Sequence, residues 1–219
     1  MKNIPIIIFL FLILVSNNVK AQFAEGDFLL GANVSANQIN DERFIGAEES
    51  FDYYSKTLNT NLSLSYFLKD DVSITFGLSH TFTERNSSQF ISSTLEYVEI
   101  ILTERMTSFN LGVNKYYGIS DRFSLVNGVN SSFGIGKYDP SLTNSPYYLV
   151  SDIQRLSLSL SHGFLYQLSD SFIITTSIGS LYYNYATESP ENSDSSLIDT
   201  SYGINANFSS LVFGLSYKF

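Results

Sequence analysis

The sequence predicts an all-β chain, an eight-stranded antiparallel up-and-down transmembrane β-barrel preceded by a cleaved signal peptide. Three observations carry that expectation: a short apolar leader, side chains that alternate apolar and small polar over most of the remaining chain, and a last strand that ends on Phe219.

The leader begins with a lone Lys2, continues through an apolar run of 10 residues from Ile6 to Val15, and closes on Ser16-Asn17-Asn18 and Val19-Lys20-Ala21. A charged start, a short apolar stretch and a small-residue exit are the parts of a secretory signal peptide. A membrane-spanning helix needs ~20 apolar residues, and no Cys follows that could carry a lipid anchor. Cleavage is expected between Ala21 and Gln22, which divides the chain into a signal peptide, 1–21, and one barrel domain, 22–219.

Loss of Lys2 and Lys20 with the leader leaves 10 basic and 21 acidic residues, net −11. Such a surface repels nucleic acid. The absence of Cys excludes disulfides, thiolate metal sites and Cys nucleophiles together. No later apolar run approaches the length of a spanning helix, and no linker-like stretch divides the domain.

From Val72 the period is two. Val72, Ile74, Phe76, Leu78, His80 and Phe82 share one face, with Ser73, Thr75, Gly77, Ser79 and Thr81 on the other. Leu156, Leu158, Leu160, His162, Phe164 and Tyr166 repeat the pattern against Ser157, Ser159, Ser161 and Gly163. Leu211, Phe213, Leu215, Tyr217 and Phe219 repeat it at the end. The whole chain reads as strands over 27–38, 54–68, 71–86, 96–118, 122–138, 147–168, 171–187 and 201–219.

Tight turns at 69–71, 120–122 and 169–171 alternate with longer polar loops at 39–53, 87–95, 139–146 and 188–200. The tight turns form a repeat: Tyr66, Leu68, Asp70, Val72; Tyr117, Ile119, Asp121, Phe123; Tyr166, Leu168, Asp170, Phe172, spaced by 51 and then 49 residues. Asp suits the turn because its side chain bonds the local backbone. The flanking Tyr and Phe suit the girdle where a barrel meets the membrane interface.

The polar face decides which solvent lies outside. Its strand centres hold Ser, Thr, Gly and Asn, whereas a water-facing sheet carries charge to keep its surface soluble. Small polar side chains fit the narrow interior of an eight-stranded barrel, so the apolar face is expected to meet lipid. Val72 to Phe82 supplies 11 residues, enough for a tilted strand to cross a bilayer. Closure removes the sheet edges that hydrocarbon does not tolerate.

With its terminal Phe219 and the alternation back through Tyr217, Leu215, Phe213 and Leu211, the chain resembles the small eight-stranded outer-membrane barrels of the OmpA/OmpX type. The resemblance is architectural and covers residues 22–219. It implies residence in the outer membrane of a Gram-negative bacterium and a last strand read as an insertion signal by the barrel-assembly machinery. It also implies termini and tight turns in the periplasm, long loops outside, and contact with membrane lipid and lipopolysaccharide. No cofactor is called for, and the loop ligand is left open.

Few residues invite chemistry. His80 and His162, the only histidines, fall on the apolar face with no hydroxyl two residues away on that face. Asp41, Glu42, Glu48, Glu49, Asp52, Glu188, Glu191, Asp194 and Asp199, offset by Arg43, make two long loops net −8, able to gather cations but without EF-hand spacing. Arg105 and Lys137, outward on adjacent strands, are candidates for lipopolysaccharide phosphates. Lys115, on the apolar face, must snorkel to the periplasmic interface or mark a bulge. Asp27 and Lys218 are placed to form a salt bridge across the closing seam. Val98, Ile100 and Leu102 oppose the phase below them, so the second loop folds over the mouth or protrudes as a hairpin open to strand addition. Scattered glycines such as Gly77, Gly112 and Gly128 read as inward packing residues.

The reading is a non-enzymatic barrel with a structural or surface-interaction role. The alternatives are a lipid A-modifying enzyme of the outer leaflet and, behind it, a small pore.

Overall fold

The computed structural model describes residues 22–45, 49–91, 96–142, 150–190, 196–205 and 212–219; the leader lies outside the described residues. Among the described residues the strands are β1 Phe28–Ile45, β2 Glu49–Lys69, β3 Val72–Ile91, β4 Glu96–Ser120, β5 Phe123–Leu142, β6 Ser151–Gln167, β7 Phe172–Pro190, β8 Leu197–Asn205 and β9 Val212–Lys218. All pairings are antiparallel, β1 to β7 follow one another in order, and β9 closes the ring between β7 and β1. Because β8 and β9 both pair with β7, over residues 180–188 and 172–177, they are two segments of one eighth strand. The expected strand 201–219 therefore starts earlier, at Leu197, and 206–211, including Leu211, lie outside the described residues.

Most of the expected long loops are instead strand. The β1–β2 ladder continues to Ile45↔Glu49, the β3–β4 ladder to Ile91↔Glu96, and the β4–β5 ladder reaches Ile100↔Leu142. The stretch 188–200 likewise includes the end of β7 and the start of β8, and β6 begins at Ser151 rather than 147. The backbone ladder continues past the point where the apolar alternation breaks phase, because inter-strand hydrogen bonding does not depend on which side chains the faces carry. The β3–β4 register does not shift through this region. The second connection is thus largely a two-stranded hairpin, paired as far as Ile91↔Glu96.

The three tight turns form the opposite end of the barrel. Asp71, in the first, has φ 57°, a left-handed conformation that Asp tolerates better than most residues. A register irregularity beside it, between Phe67 and Lys69, absorbs the extra residue of the turn.

The wall is inverted relative to a water-soluble protein. Leu62, Phe76, Phe109 and Val129 point outward and are 56–62% exposed, and burying such surface from water is worth ~25 cal/mol per Å². A solvent of hydrocarbon satisfies this face; water does not. Inside, Asn110 bonds Asn61 and Ser79, Asn114 bonds Thr75, and Asn130 bonds Ser161, at 2.9–3.2 Å. The glycines make room for these amides: a Cβ on Gly112 would collide with Asn130, and one on Gly128 with Asn114. A hydroxyl- and amide-lined chamber of about 570 Å³ remains in the lumen.

Candidate functional site

The two ends of the lumen carry opposite chemistry. At the turn end residues 22–27, just before β1, fold into the mouth. Phe23 is fully buried, stacked on Phe67 with ring centroids 4.4 Å apart and tilted against Tyr116 at 4.9 Å. With Leu29, Leu165 and Ile173 they make an apolar cluster inside the barrel. The Asp71 carboxylate accepts the backbone N–H groups of Gln22 and Phe23 at 3.0 and 3.2 Å, and the Phe23 carbonyl accepts the Asp71 N–H at 3.1 Å. The turn conformation of Asp71 thus aims its side chain across the mouth and anchors the plug.

The same end holds the seam. Lys218 Nζ lies 2.7 Å from Asp27 Oδ2, donates to the Gln22 carbonyl at 3.4 Å, and stands 5.3 Å from the Phe23 ring centroid. Phe28 and Phe219 exchange two backbone hydrogen bonds of 3.1 Å, and their rings stack 5.8 Å apart, 5° from parallel. Phe219 also stacks on Tyr217, Tyr217 meets Phe172 edge-on, and Phe28 meets Tyr66. A continuous aromatic band therefore crosses the closure. Of the predicted insertion residues, Leu215, Tyr217 and Phe219 are exposed on the outer wall, and Phe213 pairs with Val34 in the ladder.

The hairpin end is charged. Glu104, 2% exposed, lies between Arg155, whose Nη1 is 2.9 Å from Oε1, and Arg85, whose Nη2 is 3.5 Å from Oε2. The Arg155 N–H is not aimed at Oε1, which has no directed hydrogen bond, so that contact is an ion pair by proximity. Arg85 also donates to the Tyr138 hydroxyl at 3.4 Å. Two guanidinium groups and one carboxylate thus sit across the inner mouth. Sequence reading missed this cluster. The available signal was parity, since Glu104 shares its face with Asn110 and Asn114.

On the outer wall Arg105 and Lys137 are direct cross-strand partners. Both are exposed; Arg105 lies 6.0 Å over the Phe82 ring, and Lys137 Nζ is 3.6 Å from Asp152 Oδ1 on β6. Lys115 keeps its outward position without a bulge at that point, and its ammonium bends to 5.8 Å from the Tyr117 ring, towards the turn end. Both histidines have partners on neighbouring strands: His80 Nδ1 is 3.2 Å from Thr107 Oγ1, and His162 Nδ1 is 2.7 Å from Asn127 Oδ1. Reading along a strand missed the Thr107 hydroxyl because it comes from across the ladder. The side chains at 39–53 lie outside the described residues, as do Glu191 and Asp194, so the acidic loops form no described site. Among the described residues no group of three or more acidic or His side chains is arranged to hold a metal.

No protein-family model matches the chain, and no curated protein sequence matches it. Among solved structures it is similar to the outer membrane protein OprG from Pseudomonas aeruginosa, with TM-score 0.52 and 14% identity over 91% of this chain and 99% of that one. It is also similar to Neisserial surface protein A, at TM-score 0.49 and 14% identity over 90% and 99% of the two chains. Ail, the attachment invasion locus protein of Yersinia pestis, follows at TM-score 0.41 and 13% identity, over 89% and 99%. The likeness is one of fold, and the overlap with OprG carries it: the chain has the fold of the small eight-stranded outer-membrane β-barrels.

Proposed function

We propose that the chain is an integral protein of the Gram-negative outer membrane, without enzymatic activity, that works as a structural or surface-interaction component through its protruding hairpins. The observation that carries this reading is the inverted wall, with Leu62, Phe76, Phe109 and Val129 outside and an Asn, Ser and Gly lining within. The fold shared with an outer membrane protein supports the placement. On this reading the turn end faces the periplasm, and the hairpins extend from the cell.

The exposed aromatic strand end at Leu215, Tyr217 and Phe219 is the part offered to the assembly machinery. Arg105 and Lys137 meet lipopolysaccharide phosphates at the outer boundary, and the nearby Asp152 tempers their charge. The packing of Phe23 in the turn-end mouth supports a non-conducting barrel. A pull-down from intact cells with the β3–β4 hairpin present and shortened tests the interaction role. Partners lost on shortening are the expected result; an unchanged partner set would contradict it.

The contact between His80 and Thr107 favours one second reading, modification of outer-leaflet lipid, because an imidazole within reach of a hydroxyl is half of an activated nucleophile. Among the described residues no carboxylate is hydrogen-bonded to His80. Mass spectrometry of lipopolysaccharide incubated with the purified barrel separates the readings. Acyl loss abolished by His80→Ala would replace the non-enzymatic proposal.

A further inference from the structure

The outer wall carries two polar rows that were singled out only piecemeal by sequence. Arg105, Lys137 and Asp152 are register partners across β4, β5 and β6, and so are Lys115, Asn127 and His162. On every one of these strands the two rows are ten residues apart. Between them the outward positions are mostly apolar: Phe109, Leu111 and Val113 on β4, Val129, Phe133 and Ile135 on β5, Leu156, Leu158 and Leu160 on β6, all exposed.

Ten residues of strand at ~3.4 Å each, tilted by ~45°, rise ~24 Å. That is the height of the apolar band of an outer-membrane barrel, ~25 Å. The rows therefore stand at the two edges of one hydrocarbon layer, one leaflet boundary each. The lower row is a built arrangement, since His162 is hydrogen-bonded to Asn127 at 2.7 Å and the Lys115 ammonium leans over Tyr117 towards the turn end. The neighbouring β2 and β3 lack a counterpart: at the corresponding distance from their turn they present Leu64 and Phe76.

We propose that Lys115, Asn127 and His162 form a docking site for the headgroup of an anionic phospholipid of the inner leaflet. Lys115 supplies the charge for the phosphate, and the amide and imidazole beside it supply hydrogen-bonding groups. The apolar panel above receives the acyl chains. Charge selects this occupant: a cation at the edge of hydrocarbon is stabilised by an anionic surface, and a zwitterionic headgroup brings its own cation to the same place. The proposal rests on the placement of the barrel in the outer membrane.

Its test is electron paramagnetic resonance of spin-labelled lipids around the full barrel reconstituted in phosphatidylcholine vesicles. Labelled phosphatidylglycerol is expected to be held at the protein in preference to labelled phosphatidylcholine, and Lys115→Gln to reduce that preference roughly five-fold, the worth of one basic side chain at an anionic surface. Asn127→Leu combined with His162→Leu is expected to weaken it further, whereas Arg105→Gln leaves most of it in place. A preference unchanged in Lys115→Gln, or lost equally in Arg105→Gln, overturns the site. Cross-linked dimers that disappear in Lys115→Gln while lipid preference persists would make the row a contact between copies and also overturn it. Absence of any protein-restricted lipid signal would instead count against membrane insertion itself, so the two failures are distinct.

Discussion

The two ends of this barrel are built on different physics. The turn end is sealed by aromatic stacking, Phe23 against Phe67 and Tyr116, under a girdle that Phe219 completes. The hairpin end carries a buried carboxylate shared between two guanidinium groups. Apolar contact is additive and forgiving in direction. A buried charge cluster is stable only when complete, because removal of one partner strands the others in a low dielectric.

That contrast predicts an order of sensitivity. Arg155→Leu leaves the buried Glu104 carboxylate with only the longer contact to Arg85 and is expected to cost about 3–5 kcal/mol; its midpoint in urea-driven unfolding from lipid should drop more than that of any other variant here. Double replacement Glu104→Leu with Arg155→Leu should recover much of the loss, and no recovery would mean the cluster is not a unit. Phe23→Ala empties the plug and should cost about 3 kcal/mol. It should also admit a small polar label to a cysteine placed at Ser65, which the intact plug keeps out. Gly163→Ala puts a Cβ against the Thr176 carbonyl at the β6–β7 irregularity, and a loss of about 1–3 kcal/mol is expected in the same assay. Lys218→Met should be the mildest, about 1 kcal/mol, since its partner Asp27 remains partly exposed. A Lys218 effect as large as that of Arg155→Leu would erase the distinction between the ends.

The wall was legible in the sequence because its signal is local. Alternation at Val72 to Phe82, and again at Leu156 to Tyr166, needs no knowledge of neighbours, and Asp in each tight turn set the strand order. The hairpin end was not, because its apolar residues, such as Val98 and Ile100, fall out of phase with the strand below while the backbone ladder continues. Glu104 and Arg155 are far apart in sequence and converge only through the register of β4, β5 and β6. The same applies to the lower polar row. Lys115 alone reads as an awkward residue in lipid, and only its pairing with Asn127, and Asn127's with His162, turns it into a boundary. Asp27 and Lys218 were legible together because the seam forces the two ends of the chain side by side. Plugging by Gln22 and Phe23 was not, since nothing in the six residues 22–27 before the first strand signals that they turn inward.

The central claim is that the outer face meets hydrocarbon and the inner face does not. Single spin labels at Phe109, Val129 and Leu158, with partners at Asn110, Asn130 and Ser159, test it in vesicles by power saturation. The outward set should be accessible to oxygen and shielded from a water-soluble nickel chelate, with oxygen access falling at each inward neighbour. Outward labels open to the nickel chelate would contradict a lipid-facing wall.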